Sequence, residues 1–377
     1  MLRRNHQVLV VTSDWQSSKN DSQNFVKRIL HLHNFEDIDG IKKRISQLHQ
    51  AATSLQDYQT VRKLCLGFQP DLAYIWNMSR LSLKALDAFT KLDVPIVLDL
   101  GDYWLSVKLA EFANVTDKTK RFYRSLIHGG FRFDNLDLKY LLCNSKTLKK
   151  HYINHGIPED VITVIPRGLK AENVTKEINP LDYGKEIRLV YVGRLTETKG
   201  AHIAIEALSK FGQYNRVERI ALDLYGTGEA SYTEKLKKMS LALGLEQNVT
   251  YLGHVPRREL LKSFQRYHIL LCPSIWVEPF GNVVMEAMAQ GLCVIASNHG
   301  GPAELIDHGQ DGLLVPAEDP DSLAGAIIKL IDNPDYAEDM RRVALDKIRN
   351  RFVFGKIGEQ IEAYLQEVVA KHSIYRS

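Results

Sequence analysis

Ile187-Arg188-Leu189-Val190-Tyr191-Val192-Gly193-Arg194-Leu195-Thr196-Glu197-Thr198-Lys199-Gly200 runs directly into Ala201-His202-Ile203-Ala204-Ile205-Glu206-Ala207-Leu208-Ser209-Lys210. The first six residues form an apolar, β-branched run of strand length, and the last ten carry a helical period. Between them, two glycines bracket a loop that holds one Arg and one Lys. The unit is strand, tight loop, helix, and it recurs along the chain. Further strand candidates in the second half are Arg219–Tyr225, Val249–Gly253, Ile269–Cys272, Cys293–Ala296 and Gly312–Val315. The first half offers Val8–Thr12, Leu72–Trp76, Ile96–Leu100, Tyr140–Cys143 and Val161–Ile165. Helical patterns such as Tyr232–Leu243, Arg257–Phe264 and Leu323–Asp332 fall between them. Buried strands separated by helices predict parallel sheets covered on both faces. The pattern occurs twice, so the fold class is α/β with two Rossmann-like, doubly wound domains.

Composition agrees with this reading. A chain of 377 residues divided by about 150 per domain gives roughly two domains. With 45% hydrophobic and 25% charged residues it has the make-up of a globular protein, which excludes a disordered one. A net charge of +4 is too small to mark a nucleic-acid binder. Cys65, Cys143, Cys272 and Cys293 form no C-x-x-C pair and read as small core residues, which favours a reducing, cytoplasmic setting. The apolar stretch after Met1–Gln7 is too short for a signal peptide, and no segment approaches a membrane span. The polar stretch Glu172–Lys185, with Pro180 and Gly184, reads as a linker. The predicted organisation is residues 1–170 as a first domain, 171–185 as linker and 186–354 as a second domain. Residues 355–377 form a terminal helix free to return to the first domain.

Three loops of the second half follow strands, where a doubly wound sheet places its ligand. Gly193–Gly200 has glycines for close backbone approach, a helix start behind it and two cations, a combination suited to phosphate. It lacks the G-x-x-x-x-G-K-[ST] order of a P-loop. The second loop, Pro273-Ser274-Ile275-Trp276-Val277-Glu278-Pro279-Phe280-Gly281-Asn282, leads into Val283-Val284-Met285-Glu286-Ala287-Met288-Ala289. Glu278 precedes Pro279 and so belongs to the loop. Glu286 sits on an apolar helix, where a carboxylate requires a partner or a ligand hydroxyl. Two carboxylates beside a phosphate-binding helix start suit a sugar nucleotide. The third loop, Ser297-Asn298-His299-Gly300-Gly301-Pro302, reads as a tight turn with exposed N–H groups, and His299 fits either a structural or a ligand-facing role.

These loops, with Tyr225-Gly226-Thr227-Gly228, Tyr251-Leu252-Gly253-His254-Val255 and Asp311-Gly312-Leu313-Leu314-Val315, make the chain similar to the retaining glycosyltransferases of family four. The eight-residue spacing of Glu278 and Glu286 (E-x7-E) is the distinctive part. The resemblance implies a GT-B fold, two Rossmann-like domains facing across a cleft, with the acceptor side in the first and the donor in the second. It implies that Arg194 and Lys199 hold the donor diphosphate and steady it as leaving group. It further implies that Glu286 holds the ribose and Glu278 the transferred sugar. Gly193, Gly226, Phe280, Gly281, Asn282 and Val283 would contact the donor, Val255 would lie near the base, and Asp102 would match the second residue of the family's His-Asp pair. The expected donor is a UDP-sugar, most simply with glucose, and the expected acceptor is a saccharide or lipid-linked acceptor, with no metal. Three departures stand out. Gly101 replaces the family's His, Arg167 replaces Asn in the Pro-Asn-Gly turn, and no glycine precedes Gly40.

Two further motifs are weighed. Asp37-Ile38-Asp39 is a D-x-D but does not end an apolar strand, so a metal-dependent transferase is disfavoured. Gly226-Thr227-Gly228 lacks the third glycine of a dinucleotide fingerprint. Basic and aromatic residues alternate over 118–133, including Lys118, Arg121, Phe131 and Arg132. That stretch reads either as a solvated face over a core stripe or as a membrane-docking surface. A sugar-nucleotide binder without catalysis and a sugar-nucleotide epimerase of the same fold are the competing functions.

Overall fold

The computed structural model describes residues 6–13, 26–30, 41–113, 130–131, 136, 138–178, 180, 186–211 and 220–376. Two compact units divide the chain. The first comprises Met1–Asn144, Leu148–Ile165 and Gly358–Ser377, and the second Ser145–Thr147 and Pro166–Ile357.

In the first unit, β1 (Val10–Ser13) and β2 (Val26–Leu30) pair in parallel. A second parallel sheet has the order β3 (Ala73–Ile75), β4 (Ile96–Leu100), β5 (Leu141–Cys143), β6 (Ile162–Val164). All five residues of β4 are buried, which is why four of them are apolar with no in-out alternation, Asp99 being the exception. One face of this sheet packs Leu98, Leu100 and Leu141 with Leu105, Leu148 and Tyr152. The other face packs Val97 and Leu142 against Leu365 and Val368 of the helix Phe354–Arg376. Strand β2 was not legible, because Lys27 and Arg28 interrupt its apolar pattern.

The second unit is a six-stranded parallel sheet. Its strands are β7 (Ile187–Val192), β8 (Ile220–Tyr225), β9 (Val249–Gly253), β10 (Ile269–Cys272), β11 (Cys293–Ser297) and β12 (Leu313–Val315). Their spatial order is β12-β11-β10-β7-β8-β9. The order therefore reverses between β7 and β10, which pair through Leu189 and Ile269. A doubly wound sheet opens a crevice at the carboxyl ends of such a strand pair. The loops leaving β7 and β10 are Gly193–Gly200 and Pro273–Gly281, so the topology brings two of the expected loops to one edge. Helices Ala201–Ser209 and Pro320–Asp332 cover one face with Ile205, Leu208, Ile327 and Leu330. Helix Asn282–Ala289 covers the other with Val284, Ala287 and Met288.

Residues 171–178 differ from a free linker. Ala171–Asn173 form a 3-10 turn. Thr175 donates its N–H to Ala289 O at 2.9 Å, and Arg349 Nη2 donates to Thr175 O and Lys176 O at 2.9 and 2.7 Å. Backbone groups of the stretch are satisfied by the second unit, a pairing that its polar composition did not reveal. Asp37–Asp39 lies outside the described residues, as does residues 118–133 apart from Gly130 and Phe131. Phe131 is fully buried in the first unit's core, so its ring is not part of a docking surface. Among the described residues no helix is long and apolar enough to cross a membrane.

Candidate functional site

The loop after β7 is held from both sides. Gly193 N donates to Tyr225 O and Leu195 N to Thr227 O, each at 3.0 Å, so the loop zips to the turn Gly226–Gly228. A Cβ on Gly226 would overlap Gly193 O, which fixes glycine there. The Tyr191 hydroxyl donates to Arg194 O at 3.0 Å, and burial holds that phenol well above its ordinary range, so it stays a donor. At the far end Gly200 has φ +73°, and a Cβ there would overlap the carbonyl oxygen of Pro273. Ile275 N and Trp276 N both donate to Thr198 O at 2.9 Å. The two loops are thus one rigid edge.

On that edge Lys199 Nζ meets Glu278 Oε1 at 2.5 Å. The ammonium also lies 4.2 Å from the centroid of the Trp276 ring. Ser274 Oγ donates to the same carboxylate oxygen at 3.1 Å. The resemblance assigns Lys199 to the diphosphate and Glu278 to the sugar, and in the structure the two side chains pair. Arg194 is exposed, with no carboxylate partner among the described residues. Helix Ala201–Ser209 starts at Gly200, and helix Asn282–Ala289 at Gly281 with φ +95°. Neither start has a side-chain cap, so first-turn N–H groups other than Ile203 N, which donates to Gly200 O at 3.0 Å, are left for a ligand or water. Asn282 is exposed and Val283 half-buried, while the Phe280 side chain is in the core and has only backbone to offer.

Glu286 is 7% exposed and pairs with Arg257 Nη2 at 2.5 Å. Sequence reasoning missed Arg257, although the apolar setting of Glu286 demands a cation. Burial raises the Glu286 carboxyl above its ordinary value, and the Arg257 guanidinium offsets part of that rise. The folded chain therefore takes up this proton at higher pH than the unfolded chain. In that window stability is gained as pH falls and lost as pH rises. Glu286→Gln is accordingly expected to melt higher than wild type at pH 7.5, with the gap narrowing towards pH 4.5, the carboxyl's ordinary value, in calorimetric scans. Val255, half-buried, leads into the helix Arg257–Ser263 that carries the guanidinium.

The third loop is structural. Gly301 N donates to Glu278 O at 2.7 Å, and a Cβ on Gly301 would overlap the Phe280 backbone. The glycine pair packs under the Glu278 loop, and the Gly301 N–H is used there, which corrects the reading of exposed N–H groups at that position. His299 shares an Nε2 hydrogen bond of 2.9 Å with Ser274 O and also has a holding role. Asp311 is buried and paired with Lys347 Nζ at 2.6 Å. Burial pushes the Cys272 and Cys293 thiols up to about 12, so both stay protonated.

Asp102 belongs to the first unit, after β4. Its Oδ1 accepts Trp104 N–H at 2.8 Å and its Oδ2 accepts Asn77 Nδ2–H at 3.1 Å. The structure thus brings Gly193, Arg194, Lys199, Gly226, Glu278, Gly281 and Asn282 to one edge of the second unit's sheet, while Asp102 belongs to the first unit.

Comparison with known proteins follows this division. Residues 1–173 match the model "Glycosyltransferase Family 4", and residues 175–346 match "Glycosyl transferases group 1". Fold and matches together support a glycosyltransferase of the GT-B class. Among curated relatives, an uncharacterized glycosyltransferase, MJ1607 of Methanocaldococcus jannaschii, is 29% identical over 57% of this chain and 57% of its own length. The amylovoran biosynthesis glycosyltransferase AmsK of Erwinia amylovora is 32% identical over 50% of this chain and 47% of its own. The chain spans about half the length of these relatives. Among solved structures, Anabaena Alr3699/HepE in complex with UDP and glucose superposes with TM-score 0.67 at 22% identity, covering 90% of this chain and 86% of that one. That likeness shows the fold.

Proposed function

We propose that the protein transfers a hexose, most simply glucose, from a UDP-sugar to a saccharide or lipid-linked acceptor, with retention and without a metal. The observation that carries this is the Lys199–Glu278 pair at the β7/β10 reversal, flanked by two uncapped, glycine-started helices. A diphosphate entering there competes with Glu278 for the ammonium. Arg194 and the first-turn N–H groups supply the rest of its charge neutralisation. As the glycosidic bond breaks, negative charge grows on the departing phosphate, and preoriented donors aimed at it lower the barrier. Glu278, released from Lys199, is left to accept from hydroxyls of the sugar. Glu286 is placed to accept from ribose hydroxyls once Arg257 swings away, a motion open to a side chain that is 61% exposed. Retention follows, in this reading, from same-face attack by the acceptor, with the departing phosphate as base. HepE, whose crystals hold UDP and glucose, supports the choice of donor by analogy of fold.

The test is a calorimetric screen of UDP-, GDP- and ADP-sugars, followed by the rate of donor hydrolysis without acceptor. The expected result is a clear preference for one UDP-sugar and slow release of its hexose. Binding without any release favours the non-catalytic binder, a reading that rests on Gly101. Glu286→Gln is expected to weaken donor affinity although it strengthens the fold, and unchanged affinity counts against the ribose assignment.

A further inference from the structure

We propose that Trp76 is the stacking platform of a saccharide subsite on the first unit, receiving one face of a pyranose ring of the acceptor. The inference rests on the transferase reading for the word acceptor, but the subsite is argued from this unit alone. Trp76 leaves the carboxyl end of β3, the edge at which parallel sheets place ligands. It is 60% exposed. A large indole turned to solvent gains little from burial, so packing does not explain it.

The ring is nevertheless fixed. Its Nε1–H donates to Asp99 Oδ2 at 3.2 Å, and the Tyr74 hydroxyl donates to the same oxygen at 2.5 Å. Asp99 is 6% exposed on β4, so the anchor is a buried carboxylate. Tyr74 meets the indole edge to face, with centroids 5.7 Å apart and planes at 84°. Two neighbours therefore restrain the ring while much of it stays open. Pyranose rings present a face of C–H bonds, and an oriented aromatic surface is the side chain suited to it.

Hydroxyl-recognising groups leave the same strand ends. Asn77, exposed, gives one amide hydrogen to Asp102 Oδ2 at 3.1 Å, and its Oδ1 accepts Ser79 N–H at 2.7 Å. The second amide hydrogen of Asn77 is available to a hydroxyl oxygen, and Asp102 Oδ2 retains a lone pair for a hydroxyl proton. An open aromatic face, with an amide and a carboxylate at the carboxyl ends of β3 and β4, matches a sugar better than a lipid chain or a nucleotide phosphate.

The test has two arms. In the first, the indole N–H signals of the four tryptophans are recorded by NMR, and the Trp76 signal is assigned by its loss in Trp76→Phe. Cellobiose, maltose and methyl α-mannoside are titrated to millimolar concentration, with glycerol as control. The expected result is movement of the Trp76 signal with at least one saccharide and not with glycerol. No movement, or equal movement with glycerol, overturns the proposal, whatever the enzyme's activity. In the second arm, Trp76→Ala is expected to lower kcat/KM for a saccharide acceptor about tenfold, with Trp76→Phe retaining most of it. Donor hydrolysis without acceptor is expected to be unchanged in both. Loss of hydrolysis in the wild type would strike at the transferase reading and leave the first arm standing. Unchanged acceptor kinetics in Trp76→Ala would overturn the platform.

Discussion

Lys199→Ala is expected to lower the rate of donor cleavage by about 10²–10³, the usual cost of removing one oriented group from a developing anion. Two effects act together. The diphosphate loses its most enclosed cation, since the Lys199 side chain is only 13% exposed, whereas Arg194 lies in solvent. Glu278 also loses its counter-ion and keeps a single Ser274 hydroxyl, so an unneutralised carboxylate faces the incoming phosphates. Donor affinity should fall with the rate. Initial rates of hydrolysis and calorimetry with the preferred nucleotide sugar read both. The double variant Lys199→Ala, Glu278→Gln should recover part of the affinity and none of the cleavage rate, because the repulsion is gone and the cation is still missing. Wild-type affinity and rate in Lys199→Ala would remove the diphosphate from this edge.

Gly200→Ala is expected to cost the second unit about 3 kcal/mol, combining a left-handed backbone penalty of about 1–2 with the overpacking of a closed contact. The new methyl would fall on the Pro273 carbonyl oxygen, a backbone atom that cannot rotate aside. For a unit of this size the loss corresponds to roughly 6–12 °C in its thermal transition. The damage should not stop at stability. Thr198 O receives Ile275 and Trp276 through the same junction, and Trp276 lies against Lys199, so donor affinity should drop as well. A melting point within about 1 °C of wild type, by differential scanning calorimetry, would show that the loops part more easily than their contacts indicate.

Much of this was legible in the chain itself. Buried parallel strands carry predominantly apolar runs, so β10, and β4 and β7 despite Asp99 and Arg188, could be placed from sequence, and the glycines at 193, 200 and 281 announced the loops behind them. Strand β2 escaped because its two bases mimic a loop. Arg257 escaped because its partner Glu286 is 29 positions away, and pairing across a fold leaves no local mark. The glycine pair at 300–301 was misread for a related reason. Glycine permits close approach by any atom, and here the approaching group is the backbone of the chain's own Glu278 loop.

The helix that covers the first sheet with Leu365 and Val368 has a consequence for synthesis. A ribosome delivers β3 to β6 long before it delivers residues 358–376, and until then one apolar flank of that sheet stays bare. The second unit has no such debt and can close as soon as residue 357 has emerged. Assembly on the ribosome should therefore run against chain order, with the half made first being the last to finish and the one that leans on chaperones in the interval.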